Sequence, residues 1–230
     1  MRKTLGALAA CPLFEGVDGE DMRPMLDCMG ARVVDVDRGG VILSEDGPAD
    51  RVGILLSGAA RVQRGDYDGN RTIRAALRPG DLFGETFACA GVPRLPVSVE
   101  ASQPCRVMLI PLSAITRTCE RACASHSRVL LNLLRVMAEK NLLLSQKLEI
   151  TSRRTTREKL MAYLFAPARR AGSGCFTIPF DRQGLADYLG VDRSALSAEI
   201  GKLRREGVIE SERSAFRLID IKDGLQRYGG

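Results

Sequence analysis

Short apolar stretches bounded by turn residues fill the chain between residues 30 and 110. Gly, Pro, Asp and Asn separate them at intervals of about 8 to 12 residues, a spacing typical of a β-sandwich, barrel or roll. Asp68-Gly69 predicts a tight hairpin between two of them, because Gly adopts the positive φ of a primed turn at little cost. The predicted strands are Arg32–Val36, Val41–Leu43, Val52–Leu56, Ala60–Gln63, Thr72–Leu77, Val97–Ala101 and Arg106–Ile110.

The hydrophobic period changes near residue 113, and no Gly or Pro occurs from Ser113 to Glu149. This pattern predicts a long helix with two apolar stripes. A helix that is apolar on two faces must cover two surfaces, and we expect these to be its own β-domain and a second copy of the chain. The heptad stripe is Leu130, Leu134, Met137, Asn141, Leu144 and Leu148, and the stripe beside it is Val129, Leu133, Val136, Leu143 and Ile150.

A single chain could instead bury both stripes of this helix. Asn141 favours the dimer, because a polar residue within an apolar seam resembles the one that fixes register in paired helices.

Helix caps and stops organise the last 80 residues. Asp181 and Asp192 can each cap the N-terminus of a helix, and Gly190 and Gly207 can end those helices. The predicted order is a helix over Glu158–Phe165, a loop over Pro167–Gly174, a short strand over Thr177–Phe180, helices over Arg182–Leu189 and Arg193–Glu206, and a β-hairpin of Val208–Glu212 and Phe216–Ile219.

Two capped helices joined at Gly190 and followed by a hairpin form the pattern of a winged helix-turn-helix, which binds DNA. Ala186 lies where the two helices would cross, and Leu196 and Ile200 would face the core. The opposite face of the second helix would enter the major groove, and it carries Arg193, Ser194, Ser197 and Ala198.

Arg193 can offer two hydrogen bonds to a guanine, although it could instead contact only phosphate or its neighbour Asp192. The surrounding polar residues suit contacts to the DNA backbone, and each could equally be a solvated surface residue. They are Arg182, Gln183, Lys202, Arg204, Arg205 and Arg213.

Charge supports an acidic partner. The chain has a net charge of +6, and the balance lies toward its end, where residues 151–230 hold 15 basic and 10 acidic side chains. The single histidine, His126, excludes His-rich zinc enzymes and any Ser-His or Cys-His catalysis that does not use it. We therefore expect a protein that is not an enzyme.

The N-terminus imitates an export signal, because Met1-Arg2-Lys3 precedes the apolar run Leu5–Ala10. That run has only about six residues, whereas a signal peptide needs roughly 7 to 15. No stretch is long enough to span a membrane. Seven cysteines, an odd number, suit reduced thiols, so we expect a cytoplasmic protein.

The segment Phe180–Ser194, FDRQGLADYLGVDRS, resembles the DNA-binding signature of the Crp/Fnr transcription regulators. Stretches of the β-region resemble the cyclic-nucleotide-binding-type β-roll of the same family, and the resemblance covers residues 13–220. The matching stretches are Gly39–Ile42, Ala49–Val52, Leu56–Gly58, Asp68-Gly69 and Pro79–Glu85.

The resemblance implies an α+β fold in three parts. These are an N-terminal antiparallel β-roll of the double-stranded β-helix or jelly-roll type over residues 1–115, a dimerisation helix over 116–150, and a winged helix-turn-helix over 151–230. It also implies a homodimer on a pseudo-palindromic double-stranded DNA operator, RNA polymerase as a partner, and a small-molecule or redox effector in the roll. A different hypothesis is a ligand-binding β-roll protein whose C-terminal domain binds protein rather than DNA.

The sequence departs from the nucleotide-binding members of the family. Those members carry an Arg-Ser/Thr-Ala cassette after the Gly-Glu pair that matches Gly84 and Glu85, whereas Leu95 and Pro96 occupy the arginine and hydroxyl positions here. A cyclic phosphate would lose a charge-assisted partner worth about 1.5 to 3 kcal/mol, unless Arg94 replaces it after a one-residue shift. Cyclic AMP and cyclic GMP are therefore disfavoured.

Other effector chemistries remain open. Cys11 and Cys28 lie too far apart for the tight cysteine cluster of the iron–sulfur members. Cys119, Cys123 and His126 would share one helical face and could serve a metal, haem or thiol switch, although cysteines that simply pack the helix are the preferred interpretation, and we expect no metal site. Cys89 could be redox-active. The candidate effector pocket comprises Gly84, Glu85, Cys89, Arg94, Ser98, Met137 and Asn141, and the cofactor is left unknown.

Overall fold

The β-region forms two four-stranded antiparallel sheets with the orders β1-β8-β3-β6 and β2-β7-β4-β5. The computed structural model describes residues 2–65, 71–117 and 124–219. All seven predicted strands are confirmed to within two residues at each end, and only the two-residue strand β6 was missed. The strands are β1 Arg32–Val36, β2 Val41–Leu43, β3 Arg51–Ser57, β4 Ala60–Gly65, β5 Arg71–Leu77, β6 Leu82–Phe83, β7 Ser98–Ala101 and β8 Cys105–Pro111.

Strand β3 is buried on both faces, which explains its unbroken apolar run. Leu55 packs with Val99 and Val107 between the two sheets. Gly53 lies opposite Phe83, and a Cβ atom at this position would collide with the Phe83 ring. Strands β4 and β5 pair antiparallel, as the hairpin prediction requires, while the predicted turn at Asp68-Gly69 lies outside the described residues.

Helices cover the outer face of the β1-β8-β3-β6 sheet. Leu8 and Cys11 of the segment that imitates an export signal are 3% and 1% exposed in this core, together with Ile54 of β3 and Val129. The helices are α1 Arg2–Ala10, α2 Gly19–Cys28, α3 Glu85–Cys89, α4 Leu112–Thr116 and α5 Ala124–Thr151, with a 3-10 turn over Pro12–Phe14.

The prediction of a single helix from Ser113 is wrong. Helix α4 ends at Thr116, and the Arg117 backbone is extended. Ile115 is fully buried, and its carbonyl lies 3.2 Å from Nε2 of His126 on α5. Helices α4 and α5 therefore pack beside each other, which no Gly or Pro in the sequence indicates.

The two stripes of α5 differ in burial. Val129, Leu133, Val136 and Ile150 of the second stripe are buried, and Ile150 packs with Leu160 and Leu164 rather than with the β-domain. Leu143 is 63% exposed, as are its neighbours over residues 141–149, so its place in a dimer stays a prediction. In the heptad stripe, Leu134, Leu144 and Leu148 are 59% to 69% exposed, and Asn141 is exposed.

The chain divides into two compact units, Met1–Glu139 and Lys140–Gly230. In the second unit, helices α6, α7 and α8 share a core with a three-stranded antiparallel sheet of order β10-β11-β9. The shared core includes Leu164, Leu189, Leu196 and Phe216. The elements are α6 Thr156–Ala171, β9 Cys175–Thr177, α7 Arg182–Leu189, α8 Arg193–Arg205, β10 Ile209–Glu212 and β11 Ala215–Leu218.

Two local predictions in this unit are wrong. Helix α6 continues through Pro167, where a loop was expected, because burial of Phe165 and Ala168 offsets the roughly 3 kcal/mol that an internal proline costs a helix. The strand expected over Thr177–Phe180 ends at Thr177, since Pro179 has no N–H for a ladder. Among the described residues, no helix has the length and apolar character to cross a membrane.

Candidate nucleic-acid interface and effector site

Helices α7 and α8 form the predicted helix-turn-helix. The Asp181 carboxylate accepts a hydrogen bond from the Gly184 N–H at 2.7 Å and caps α7. Gly190 ends this helix with a φ of 63°, a left-handed conformation that suits glycine. Ala186 is fully buried, as the prediction of a close crossing between the helices requires.

Helix α8 begins differently from the prediction. Asp192 precedes its first turn with extended backbone, but the side chain makes no capping hydrogen bond. The Asp192 carbonyl accepts the Leu196 N–H at 2.9 Å, the first hydrogen bond of the helix. The expected cap at Asp192 is therefore wrong, although the expected helix boundary is confirmed.

One face of α8 is buried and the opposite face is open. Leu196, Ile200 and Leu203 are at most 4% exposed and pack in the core. The residues predicted to enter a major groove all lie on the exposed face, and they are Arg193, Ser194, Ser197 and Ala198. Rotating the helix to bury them would expose the leucines, so packing of the core decides which side chains α8 presents.

The residues predicted to contact the DNA backbone lie in separate parts of this unit. Lys202, Arg204 and Arg205 are exposed in the last turn of α8. Arg213 lies at the tip of the β10-β11 hairpin with a φ of 49°. Gln183 donates to Asp187 at 2.8 Å along the surface of α7.

A groove of about 950 Å³ joins Arg182 to the hairpin, and Arg204, Arg213 and Arg217 also line it. The Arg182 guanidinium lies 5.8 Å from the centre of the Phe216 ring. Burial, followed by the nearby charge of Arg204, lowers the pKa of Arg182. The structure thus brings Arg182 and Arg213 to one basic groove, and it places Gln183 outside it.

Sequence reasoning missed a contact behind α8. Arg157, at the start of α6, places Nη2 2.6 Å from Glu206 Oε2 and Nη1 3.7 Å from Glu199 Oε1. Arg157 ends a basic run over Ser152–Arg157, and the sequence predicts no role for it. The seven-residue spacing of Glu199 and Glu206 was the available signal, because it puts both carboxylates on one side of a helix.

Three of the candidate effector residues lie together around α3. Gly84 precedes the helix with a φ of 78°, and a Cβ atom there would approach the Arg51 carbonyl at 2.9 Å. Glu85 is 2% exposed and accepts a hydrogen bond from the Thr86 hydroxyl at 3.0 Å. Burial and the charge of Glu85 raise the pKa of the Cys89 thiol, so this thiol is less readily ionised than an ordinary cysteine.

The residues at the position of the phosphate cassette have other partners. Leu95 is 3% exposed, and its N–H donates to the Gly47 carbonyl at 2.9 Å. Arg94 is exposed and donates from Nη1 to the Asp46 carbonyl at 2.8 Å. The guanidinium of Arg94 is therefore engaged by the backbone of a neighbouring loop.

Ser98 is separated from this group. It lines a cavity of about 230 Å³ with Gln63 and Glu100, and none of Gly84, Glu85, Cys89 and Arg94 belongs to the lining described for it. Glu100 is 6% exposed, and its Oε2 lies 3.4 Å from Nη2 of Arg61. On α5, Met137 is half-buried and Asn141 is exposed.

Cys119 and Cys123 lie outside the described residues, so their predicted grouping with His126 stays a prediction. His126 itself is 6% exposed. In the described ranges, no group of three or more His, Cys, Asp or Glu side chains is placed to hold a metal ion. Cys11 is buried, and desolvation raises the pKa of its thiol to about 11.

Two family models match the chain. Residues 33–122 match the cyclic nucleotide-binding domain, and residues 158–228 match the Crp-like helix-turn-helix domain. The solved structure of CprK complexed with OCPA has the same fold, with a TM-score of 0.53, 14% identity, and coverage of 90% of this chain and 93% of CprK.

Two regulators are similar over most of their length. The nitrogen fixation regulation protein FixK of Azorhizobium caulinodans is 30% identical over 201 residues, which cover 83% of this chain and 76% of FixK. The transcriptional activatory protein AadR of Rhodopseudomonas palustris is 28% identical over 186 residues, 79% of this chain and 74% of AadR. These relatives are transcription regulators and not enzymes. The β-roll, the helix-turn-helix and the similarity to FixK together show that the chain belongs to the Crp/Fnr family of transcription regulators.

Proposed function

We propose that the protein acts in the cytoplasm as a homodimer that binds a pseudo-palindromic double-stranded operator, with one α8 in each of two successive major grooves. The observation that carries this proposal is the face of α8 opposite Leu196 and Ile200, where Arg193, Ser194 and Ser197 are exposed. Two such helices must lie about 34 Å apart, one turn of DNA.

The exposed face of α5 supports the homodimer. Leu134, Leu144 and Leu148 are 59%, 67% and 69% exposed and repeat with heptad spacing around the exposed Asn141. Exposed leucines at this spacing are characteristic of a helix that pairs with another helix. A second copy of α5 presents the same heptad pattern and would cover it.

In this proposal, different residues contact the base edges and the DNA backbone. Arg193 would donate two hydrogen bonds to a guanine, the serines Ser194 and Ser197 would hydrogen-bond to base edges, and Ala198 would contact a thymine methyl group. The remaining residues would hold phosphates and carry no sequence information, and they are Arg182, Gln183, Lys202 and Arg213.

The effector would act from the β-roll by favouring one arrangement of the dimer helices. Burial of Leu95 and the contact from Arg94 to Asp46 support an effector other than a cyclic nucleotide. In functional terms, residues 1–115 would sense the effector, 116–150 would pair the protomers, and 151–230 would bind DNA. RNA polymerase would be a further partner if the regulator activates its promoters.

Selection from a random double-stranded DNA library tests the function, with and without oxygen and with and without cyclic AMP. We expect enrichment of a two-fold-symmetric site, and its dependence on one condition would identify the class of effector. Loss of enrichment in every condition would contradict sequence-specific binding.

Two variants test whether Arg193 contacts a base while Lys202 contacts a phosphate. Arg193→Ala should weaken operator binding by about 1 to 3 kcal/mol and relax the preference at one position in each half-site, because a base contact is lost. Lys202→Ala is the matched control, since it removes a charge from the same helix and should weaken all sequences alike. Titrations of each variant on cognate and random duplexes measure this difference. Equal losses on both duplexes for both variants would contradict the assignment.

A further inference from the structure

Arg157 holds α8 from behind at two points. Its Nη2 lies 2.6 Å from Glu206 Oε2, and its Nη1 lies 3.7 Å from Glu199 Oε1. Glu199 and Glu206 are seven residues apart, so they are separated by about two turns of α8. One guanidinium therefore restrains both the rotation of α8 and its position along its axis.

This contact is shielded from water more than an ordinary surface ion pair, so the loss of one partner is more costly. The side chains of Arg157 and Glu199 are only 26% and 20% exposed. The Glu199 Oε1 atom is buried and accepts no hydrogen bond among the described residues, so the Arg157 charge compensates it. A largely buried carboxylate that loses its countercharge is destabilised, which favours a displacement of α8 that hydrates it.

The Arg157 anchor is itself held in place. Arg157 lies within the capping box of α6, in which the Thr155 hydroxyl accepts the Glu158 N–H at 3.2 Å and the Glu158 carboxylate accepts the Thr155 N–H at 3.1 Å. Leu160 and Leu164 of the same helix are fully buried. A change in α8 is thus resisted by a fixed helix and not by a mobile loop.

We propose that Arg157 is a positioning residue for sequence discrimination, which sets the orientation of α8 without itself touching DNA. Paired hydrogen bonds to a base edge depend on the angle of the helix, whereas long side chains follow a phosphate through small displacements. Release of α8 therefore impairs base reading by Arg193 more than backbone binding. The inference rests on the proposed function, because it assigns a role within operator recognition.

The test compares Arg157→Gln with Arg154→Gln, an exposed position in the same basic run that loses the same charge. Fluorescence anisotropy of the full-length variants is measured on the selected operator and on a random duplex at several salt concentrations. For Arg157→Gln we expect the operator-to-random affinity ratio to fall about tenfold, the effect of one mismatched base pair. The salt slope should not change, and Arg154→Gln should keep the wild-type ratio.

An unchanged ratio in Arg157→Gln would overturn the proposal. A salt slope smaller by about 0.9 per site would also overturn it, because it would show that Arg157 contacts a phosphate. If the wild-type protein itself discriminates no operator, the proposed function fails as well. A discriminating wild type with an equally discriminating Arg157→Gln variant defeats this inference alone.

Further variants keep the test informative if Arg157→Gln does not fold. Glu206→Gln removes the negative charge at the 2.6 Å contact and leaves the Arg157–Glu199 pair. It should lower the ratio by roughly threefold, less than Arg157→Gln, because only one of the two ion pairs of Arg157 is lost. The exchange of Arg157→Glu with Glu206→Arg should recover more of the ratio than Arg157→Glu alone. Failure of both expectations would contradict the positioning role.

Discussion

A side-chain oxygen caps the N-terminus of α6, and another caps that of α7. A comparison of Asp181 with Asp192 tests how much one capping hydrogen bond contributes to stability. Asp181 accepts the Gly184 N–H at 2.7 Å, whereas Asp192 makes no side-chain cap although it precedes α8. Asp181→Ala should lower the free energy of unfolding by about 1 kcal/mol, the usual effect of losing a cap. Urea unfolding measures the change.

Asp192→Ala is the control for this prediction, and it should change stability by less than about 0.5 kcal/mol. Asp181→Asn should retain most of the stability, because its amide oxygen can accept the same bond. A loss for Asp192→Ala as large as that for Asp181→Ala would contradict the difference between the two caps.

The capping box of α6 also predicts a dependence on pH. Hydrogen bonds from the Thr155 and Arg154 N–H groups lower the pKa of Glu158 from its ordinary value of 4.5. A lowered folded-state pKa stabilises the protein above the unfolded value, and this stabilisation is lost as pH falls from about 4.5 through the folded pKa. Unfolding of the wild type and Glu158→Gln between pH 3 and 7 should show a smaller loss in acid for the variant. Parallel profiles would refute the role of Glu158.

At the scale of elements, α5 combines two surfaces in one helix. Its buried positions pack within the chain, while Leu134, Leu144 and Leu148 remain exposed. Leu144→Glu should shift the protein from dimer to monomer, because two carboxylates would face each other across the apolar seam. Light scattering coupled to gel filtration measures the mass in solution.

The control for this element is Gln146→Glu, which adds the same charge to α5 two residues away and outside the heptad stripe. This variant should remain a dimer. A dimeric Leu144→Glu variant, or a monomeric wild type, would show that the exposed face of α5 does not pair the protomers.

At the scale of the whole molecule, the uneven charge predicts how DNA binding responds to salt. Residues 151–230 hold 15 basic and 10 acidic side chains. If Arg182, Lys202 and Arg213 of two protomers neutralise about six phosphates, the logarithm of the affinity should fall with the logarithm of salt concentration with a slope of about −5. Operator titrations between 50 and 200 mM salt measure this slope. A slope near zero would indicate recognition that does not depend on phosphates.

Local sequence patterns were sufficient to predict the seven longer strands of the roll and both helices of the helix-turn-helix. These elements are encoded locally, by alternation of apolar residues, by turn residues such as Gly190 and by the cap at Asp181. The exposed face of α8 was also predictable, because Leu196 and Ile200 set the buried side through helical periodicity. Local pattern was sufficient wherever a residue acts through its own neighbours in the chain.

Features that depend on contacts between distant residues could not be predicted in this way. The break after Thr116 follows from packing of α4 beside α5, and the passage of α6 through Pro167 follows from burial of Phe165. The contact of Arg157 with Glu206 joins residues 49 apart. Such contacts have no local signature, because their free energy comes from burial and charge compensation between segments that meet only after folding.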